Sequence, residues 1–101
     1  MRKIINGKAY DTETAHLVGE NDNNDASDSN RIIEKLYRKK TGEYFLYGWG
    51  GAFTRYCEHI SSREFSSGDR FTPLSVEQAR KFAEQSLTAT EYEAEFSVAE
   101  E

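Results

Sequence analysis

The chain reads as a small α+β domain. It is expected to hold an antiparallel β-sheet with a central hairpin at about residues 31–49, packed against a C-terminal helix (about 75–87) and a short terminal helix (about 91–96). Three observations predict this. Apolar and aromatic residues flank the turn Arg38-Lys39-Lys40-Thr41-Gly42, with Ile32, Ile33, Leu36 and Tyr37 before it and Tyr44-Phe45-Leu46-Tyr47 after it. Val76, Ala79, Phe82, Ala83 and Leu87 recur at helical spacing behind a Ser75-to-Gln78 capping box. Aromatic residues are 13% of the sequence, so Tyr, Phe and β-branched side chains carry the core in place of leucine, which favours a sheet.

Taken in order, Lys3 to Asn6 reads as a strand closed by an Asn6-Gly7 turn, a favoured hairpin dipeptide. Tyr10 to Ala15 reads as a single turn capped by Asp11 or Thr12, and His16-Leu17-Val18 as a second short strand. Glu20 to Asn30 has no large apolar residue and is expected to be a flexible acidic surface loop. In the central hairpin, alternation places Tyr44 and Leu46 on one face and Phe45, Tyr47 and Trp49 on the other. With large side chains on both, the strand is expected to be central or covered twice. Gly48-Trp49-Gly50-Gly51 is expected to end it, its glycines allowing redirection or close approach by another chain. Phe53 to Ile60 fits a strand or a short helix, Ser61 to Asp69 a polar loop, and Arg70-Phe71-Thr72 a short strand before Pro73. Thr88 or Thr90 would cap the terminal helix, packed through Tyr92 and Phe96, before an acidic tail at 97–101.

At 101 residues the chain is one domain, able to bury a core without staples. Its net charge of −5 argues against general affinity for nucleic acid and permits an acidic surface to approach a basic protein groove. Cys57 is the one cysteine, so neither an internal disulfide nor a cysteine zinc cluster is expected, and a reducing, cytoplasmic setting follows. No apolar run approaches a membrane span, and Ile4-Ile5-Asn6-Gly7 after the basic start does not make a signal peptide.

Sites of chemistry are few. The spacing of Asp22, Asp25 and Asp28 invites a calcium reading, but the alternate oxygen ligands, central Gly and terminal Glu of an EF-hand loop are missing, so no metal or cofactor is expected. Cys57-Glu58-His59 lacks a nucleophile turn. His16 and His59 could support metal-free RNA cleavage only if the fold united them. Arg31, Lys35, Arg38, Lys39 and Lys40, interleaved with Tyr44, Tyr47 and Trp49, fit single-stranded nucleic-acid binding; the simpler reading is core aromatics beside edge-blunting lysines. Glu91, Glu93, Glu95, Glu100 and Glu101 make an acidic end.

Three stretches together resemble a family of small proteins of bacterial mobile elements and phages, mainly of Gram-positive hosts. They are Ile4 to Ala15, containing Asn6-Gly7-Lys8-Ala9-Tyr10-Asp11-Thr12-Glu13-Thr14; Leu36 to Gly51, containing Lys39-Lys40-Thr41-Gly42-Glu43-Tyr44-Phe45-Leu46-Tyr47-Gly48-Trp49; and Pro73 to Ala79 with Glu91 to Phe96. The match spans nearly the whole chain, with the Asp/Asn loop as a variable region. The resemblance implies an anti-CRISPR protein, preferably against a type II effector, with the effector nuclease or its guide RNA complex as partner in the host bacterial cytoplasm. It carries over no catalytic residue. The surfaces expected to meet that partner are Asp22, Asp25 and Asp28 on the loop, Arg38, Lys39, Lys40, Tyr47 and Trp49 on the hairpin, and Glu91 and Glu93 at the acidic end. The chain is expected as a monomer or small homo-oligomer. A small ribonuclease acting on guide RNA, and a mobile-element nucleic-acid-binding accessory protein, remain alternatives.

Overall fold

The computed structural model describes residues 1–100. Asn6 and Gly7 both take positive φ, 52° and 78°, which is what a two-residue turn matching the right-handed twist of its strands requires. They join β1 (Arg2–Ile5) to β2 (Lys8–Asp11), paired antiparallel with Ile5 opposite Lys8. The next turn closes as the Ala15 N–H donates to the Asp11 carbonyl, while the Asp11 carboxylate accepts from the Glu13 N–H at 2.9 Å. Asp11 is thus the capping residue, at the end of a strand.

β3 (His16–Asp22), β4 (Ile32–Arg38), β5 (Tyr44–Gly50) and β8 (Gly68–Leu74) form one antiparallel sheet in the order β3-β4-β5-β8. The expected hairpin is its centre, turned through Gly42 at φ 92°. Three boundaries differ from expectation. β3 runs on through Glu20, Asn21 and Asp22, because pairing with β4 supplies the partner that polar side chains do not signal. β5 continues through Gly48 to Gly50. β8 passes through Pro73, which an edge strand tolerates because one side of it makes no ladder. The expected polar loop at 61–69 instead holds β7 (Glu64–Ser66), which pairs with β6 (Glu58–Ser61) in a separate hairpin.

Each face of the sheet has its own cover. On one, Val18, Leu36, Tyr44 and Leu46 pack against Ala79, Ala83 and Phe96 of the helical layer. That layer is α1 (Val76–Ser86) and α2 (Ala89–Glu95). Both helices begin with complete capping boxes, Ser75 with Gln78 and Thr88 with Glu91. Val76, expected on the buried stripe of α1, is half exposed because it sits at the first helical position beyond the sheet. On the other face the β1–β2 hairpin and the following turn bring Tyr10, Ile5 and Ala15 over Tyr37 and Phe45. Phe45 is fully buried at the junction, stacked with Tyr37 at 5.1 Å and edge-on to Tyr10 at 5.4 Å. The strand expected to be covered twice is covered twice, but only over half its length.

The Asp/Asn segment is a string of side-chain turns. Asp22, Asn23 and Asp25 each accept from the N–H two residues on. The segment is tied to the chain after β5, where Gly51 N–H donates to Arg31 and Phe53 N–H to Ser29 carbonyls.

Candidate interaction surface

Beyond the β1–β2 hairpin, the hairpin-side face of the sheet lies open. Register builds it in two rows. Asp22, Ile33, Trp49 and Asp69 stand opposite one another across the four strands, and the next row is Glu20, Lys35, Tyr47 and Phe71. At the usual strand spacing each row spans about 15 Å. Ile33, Lys35, Tyr47, Trp49 and Phe71 are all half buried. Tyr47 and Phe71 continue the aromatic core outward, their rings 5.1 Å apart and Phe71 stacked 5.8 Å from Phe45. Trp49 belongs to neither core cluster and ends the ladder.

Polar groups fix this surface at both edges. The Tyr47 hydroxyl donates to Asp69 at 2.8 Å; burial and then that carboxylate push its pKa up to about 12, so it stays a donor at physiological pH. Arg31 grips Asp22 with two bonds, 3.2 and 2.6 Å, which hold the Asp22 carboxyl below its usual range. Asp25 and Asp28 continue from this corner on the exposed loop. The result is an aromatic strip flanked by carboxylates, with Lys35 within it.

The back of the strip explains the glycines around Trp49. Gly48 and Gly50 face the opposite side of β5, where Tyr56 packs directly against the strand. A Cβ on Gly48 would come within 2.1 Å of the Tyr56 ring, and one on Gly50 within 2.1 Å of Thr54 Oγ1. Tyr56 donates its hydroxyl to Glu34 at 2.6 Å, and Arg55 reaches the same Glu34 oxygen at 2.5 Å. Glu34 is 6% exposed, so the two donors satisfy a carboxylate the sheet has taken from water. Arg55 and Arg70 both lie over the Tyr56 ring, 5.0 and 5.4 Å from its centre. The close approach foreseen at these glycines is made by the chain's own loop, and it braces Trp49 from behind.

The residues expected to meet a partner fall into three places. Tyr47, Trp49, Asp22, Asp25 and Asp28 share the open strip and its corner. Arg38, Lys39 and Lys40 lie at the far end of the hairpin. There Glu95, its side chain 4% exposed, holds Arg38 at 2.5 Å and accepts from Tyr44 at 2.6 Å. Lys39 sits 4.4 Å over the Tyr10 ring. Glu91 and Glu93 belong to the helical layer, where Glu91 is spent in the Thr88 capping box and Glu93 is exposed. Ile33, Asp69 and Phe71 complete the strip without having been singled out by sequence, since only register brings them beside Trp49. Glu34 did leave a signal, as a charge between Ile32 and Leu36 at a core-facing position.

The histidines are not united. His16 opens β3 opposite Arg38, whereas His59 sits on the β6–β7 hairpin beyond the other end of the sheet, edge-on to Phe65 at 4.6 Å. Cys57 precedes that hairpin, half buried, its N–H donating to Thr54. No group of three His, Cys, Asp or Glu side chains among the described residues could hold a metal ion, and no helix among them is long and apolar enough to cross a membrane. Comparison with protein-family models, curated proteins and solved structures finds no match for this chain.

Proposed function

We propose that this chain is a non-catalytic binding protein that inhibits a bacterial CRISPR effector, of type II by preference, by blocking engagement of guide or target nucleic acid. The observation that carries the binding reading is the open half of the sheet. Ile33, Tyr47, Trp49 and Phe71 form a continuous half-exposed apolar strip across three paired strands, the central one braced from behind. Aromatic anchors on a preorganised surface are what concentrate binding energy in protein interfaces. The choice of partner rests on the resemblance of Ile4 to Ala15, Leu36 to Gly51 and Pro73 to Ala79 to small mobile-element proteins. Electrostatics supports it: Glu20, Asp25, Asp28 and Asp69 around the strip suit the positively charged channels in which such effectors hold nucleic acid. The host cytoplasm is the setting this partner requires.

The test mixes purified protein with a type II effector, with and without guide RNA, and follows each mixture by size-exclusion chromatography and an RNA gel. Co-elution with intact RNA supports stoichiometric inhibition, and its dependence on guide identifies the blocked step. Shortened RNA, or no complex in either state, overturns the proposal.

A further inference from the structure

At the end of the sheet opposite the Asp-rich corner, two adjoining grooves of about 350 and 150 Å³ share the β4–β5 turn as a wall. The larger is walled by the turn before β3, through Thr14 and His16, and by Arg38, Lys39 and Lys40. No carboxylate lines it. The smaller shares Thr14, Lys39 and Lys40 and adds Arg2, with Asp11 as its one acidic wall. In a chain of 18 acidic and 13 basic residues this is a reversal of the overall balance.

The cations are partly committed. Arg38 is held by Glu95, Lys39 lies 3.5 Å from Glu43, which also accepts from Lys8, and Arg2 lies 3.7 Å from Asp11. Of the four cations that line the grooves, Arg2, Arg38 and Lys39 each have a carboxylate partner, whereas Lys40 is exposed with no ion-pair partner among the described residues. Glu13, on the same turn, lines neither groove. The charge left over is the Lys40 ammonium, it stands where two turns converge, and the Thr14 hydroxyl and His16 ring line the same groove. The pairing also positions the cluster, because Glu95 and the Tyr10 ring hold Arg38 and Lys39 in place.

We propose that these grooves bind a phosphate group, either free phosphate or one on a nucleic-acid backbone. Lys40 supplies the uncompensated charge, Lys39 and Arg38 the flanking charge, and Thr14 a hydrogen bond. The site is separate from the aromatic strip and does not depend on it. A nucleic-acid phosphate would let the chain touch the nucleic acid of a partner complex from one end and protein from its open face.

Backbone amide NMR spectra, titrated first with inorganic phosphate and then with a short single-stranded RNA, test this on wild type, Lys40→Glu and Thr14→Ala. Shifts centred on residues 14–16 and 38–42, weakened about tenfold or more in Lys40→Glu, are expected. Tighter, salt-sensitive binding of RNA at the same amides identifies the backbone phosphate; phosphate binding without that gain identifies the free anion. Lys40 is exposed, and Thr14→Ala, which leaves the charge in place, guards against a folding artefact. No shift in either titration, shifts spread over other basic residues such as Arg80 and Lys81, or equal affinity in Lys40→Glu would overturn the assignment.

Discussion

Gly48→Ala is a one-carbon change that the brace behind Trp49 cannot absorb. The added methyl would meet the Tyr56 ring at 2.1 to 2.4 Å, and that ring cannot slide because its hydroxyl is bound to buried Glu34. Overpacking of this kind costs about 1–3 kcal/mol. Turning Tyr56 out also gives up a hydrogen bond to a charged acceptor, about 1.5–3 kcal/mol. Against these stands the usual entropic gain of Gly→Ala, about 0.4–1 kcal/mol, leaving a net loss of about 1.5–5.5 kcal/mol. In a domain of this size that lowers Tm by roughly 6 °C or more. Tyr56→Phe alone should sit at the low end of the hydrogen-bond range, because Arg55 still serves Glu34. Combining the two reveals the mechanism. Once Gly48→Ala has displaced the ring, losing its hydroxyl costs little, so the double variant should be more stable than the sum of the singles predicts, by about 1.5 kcal/mol. Urea unfolding followed by circular dichroism on the four proteins measures this cycle. A Gly48→Ala protein within about 1 kcal/mol of wild type, or strictly additive losses, would refute the brace.

Two further outcomes follow from buried polar groups. Tyr44 and Tyr56, 8% and 5% exposed, have hydroxyl pKa values raised to about 12, in both cases mainly by burial and then by Glu95 and Glu34 respectively. Each raised pKa favours the neutral folded form, so this stability is complete below the ordinary value of 10.0 and is lost as pH rises through 12, at about 3 kcal/mol per tyrosine. Tyrosinate absorbance should therefore show a late, cooperative phase that coincides with loss of the sheet signal; complete titration near pH 10 with the fold intact would contradict it. Glu95→Ala removes the acceptor shared by Arg38 and Tyr44 and should cost about 1–3 kcal/mol, the lower part of the range because Arg38 can be rehydrated. Glu95→Gln should recover part of that loss in the same melts, and an unchanged Tm for Glu95→Ala would show the contact to be idle.

What was legible in the sequence was local. The α+β class, the hairpin through Gly42, the division of Tyr44 and Leu46 from Phe45, Tyr47 and Trp49, and both capped helices follow from period, turn chemistry and caps within a few residues. What was not legible depends on residues far apart in the chain. Glu20 to Asp22 carry no β signal and become strand only because β4 is beside them. Tyr47 and Trp49 were found from their own strand, but Phe71 and Asp69 join them through pairing with β8, which nothing near either residue announces. The glycines flanking Trp49 indicated close approach without saying by what, since Tyr56 reaches them only once the loop folds back on the sheet.

The central claim is that the open face around Trp49 is where a partner binds, and Trp49→Ala tested for effector binding beside wild type addresses it most directly. The indole stands outside both core clusters, so the variant should keep its fold and melt close to wild type. If the strip is the interface, removing its end anchor should cost about 2 kcal/mol or more, a roughly thirtyfold weaker Kd in a titration against the effector. Equal affinity in a folded Trp49→Ala protein would contradict the claim and move the interface off this face.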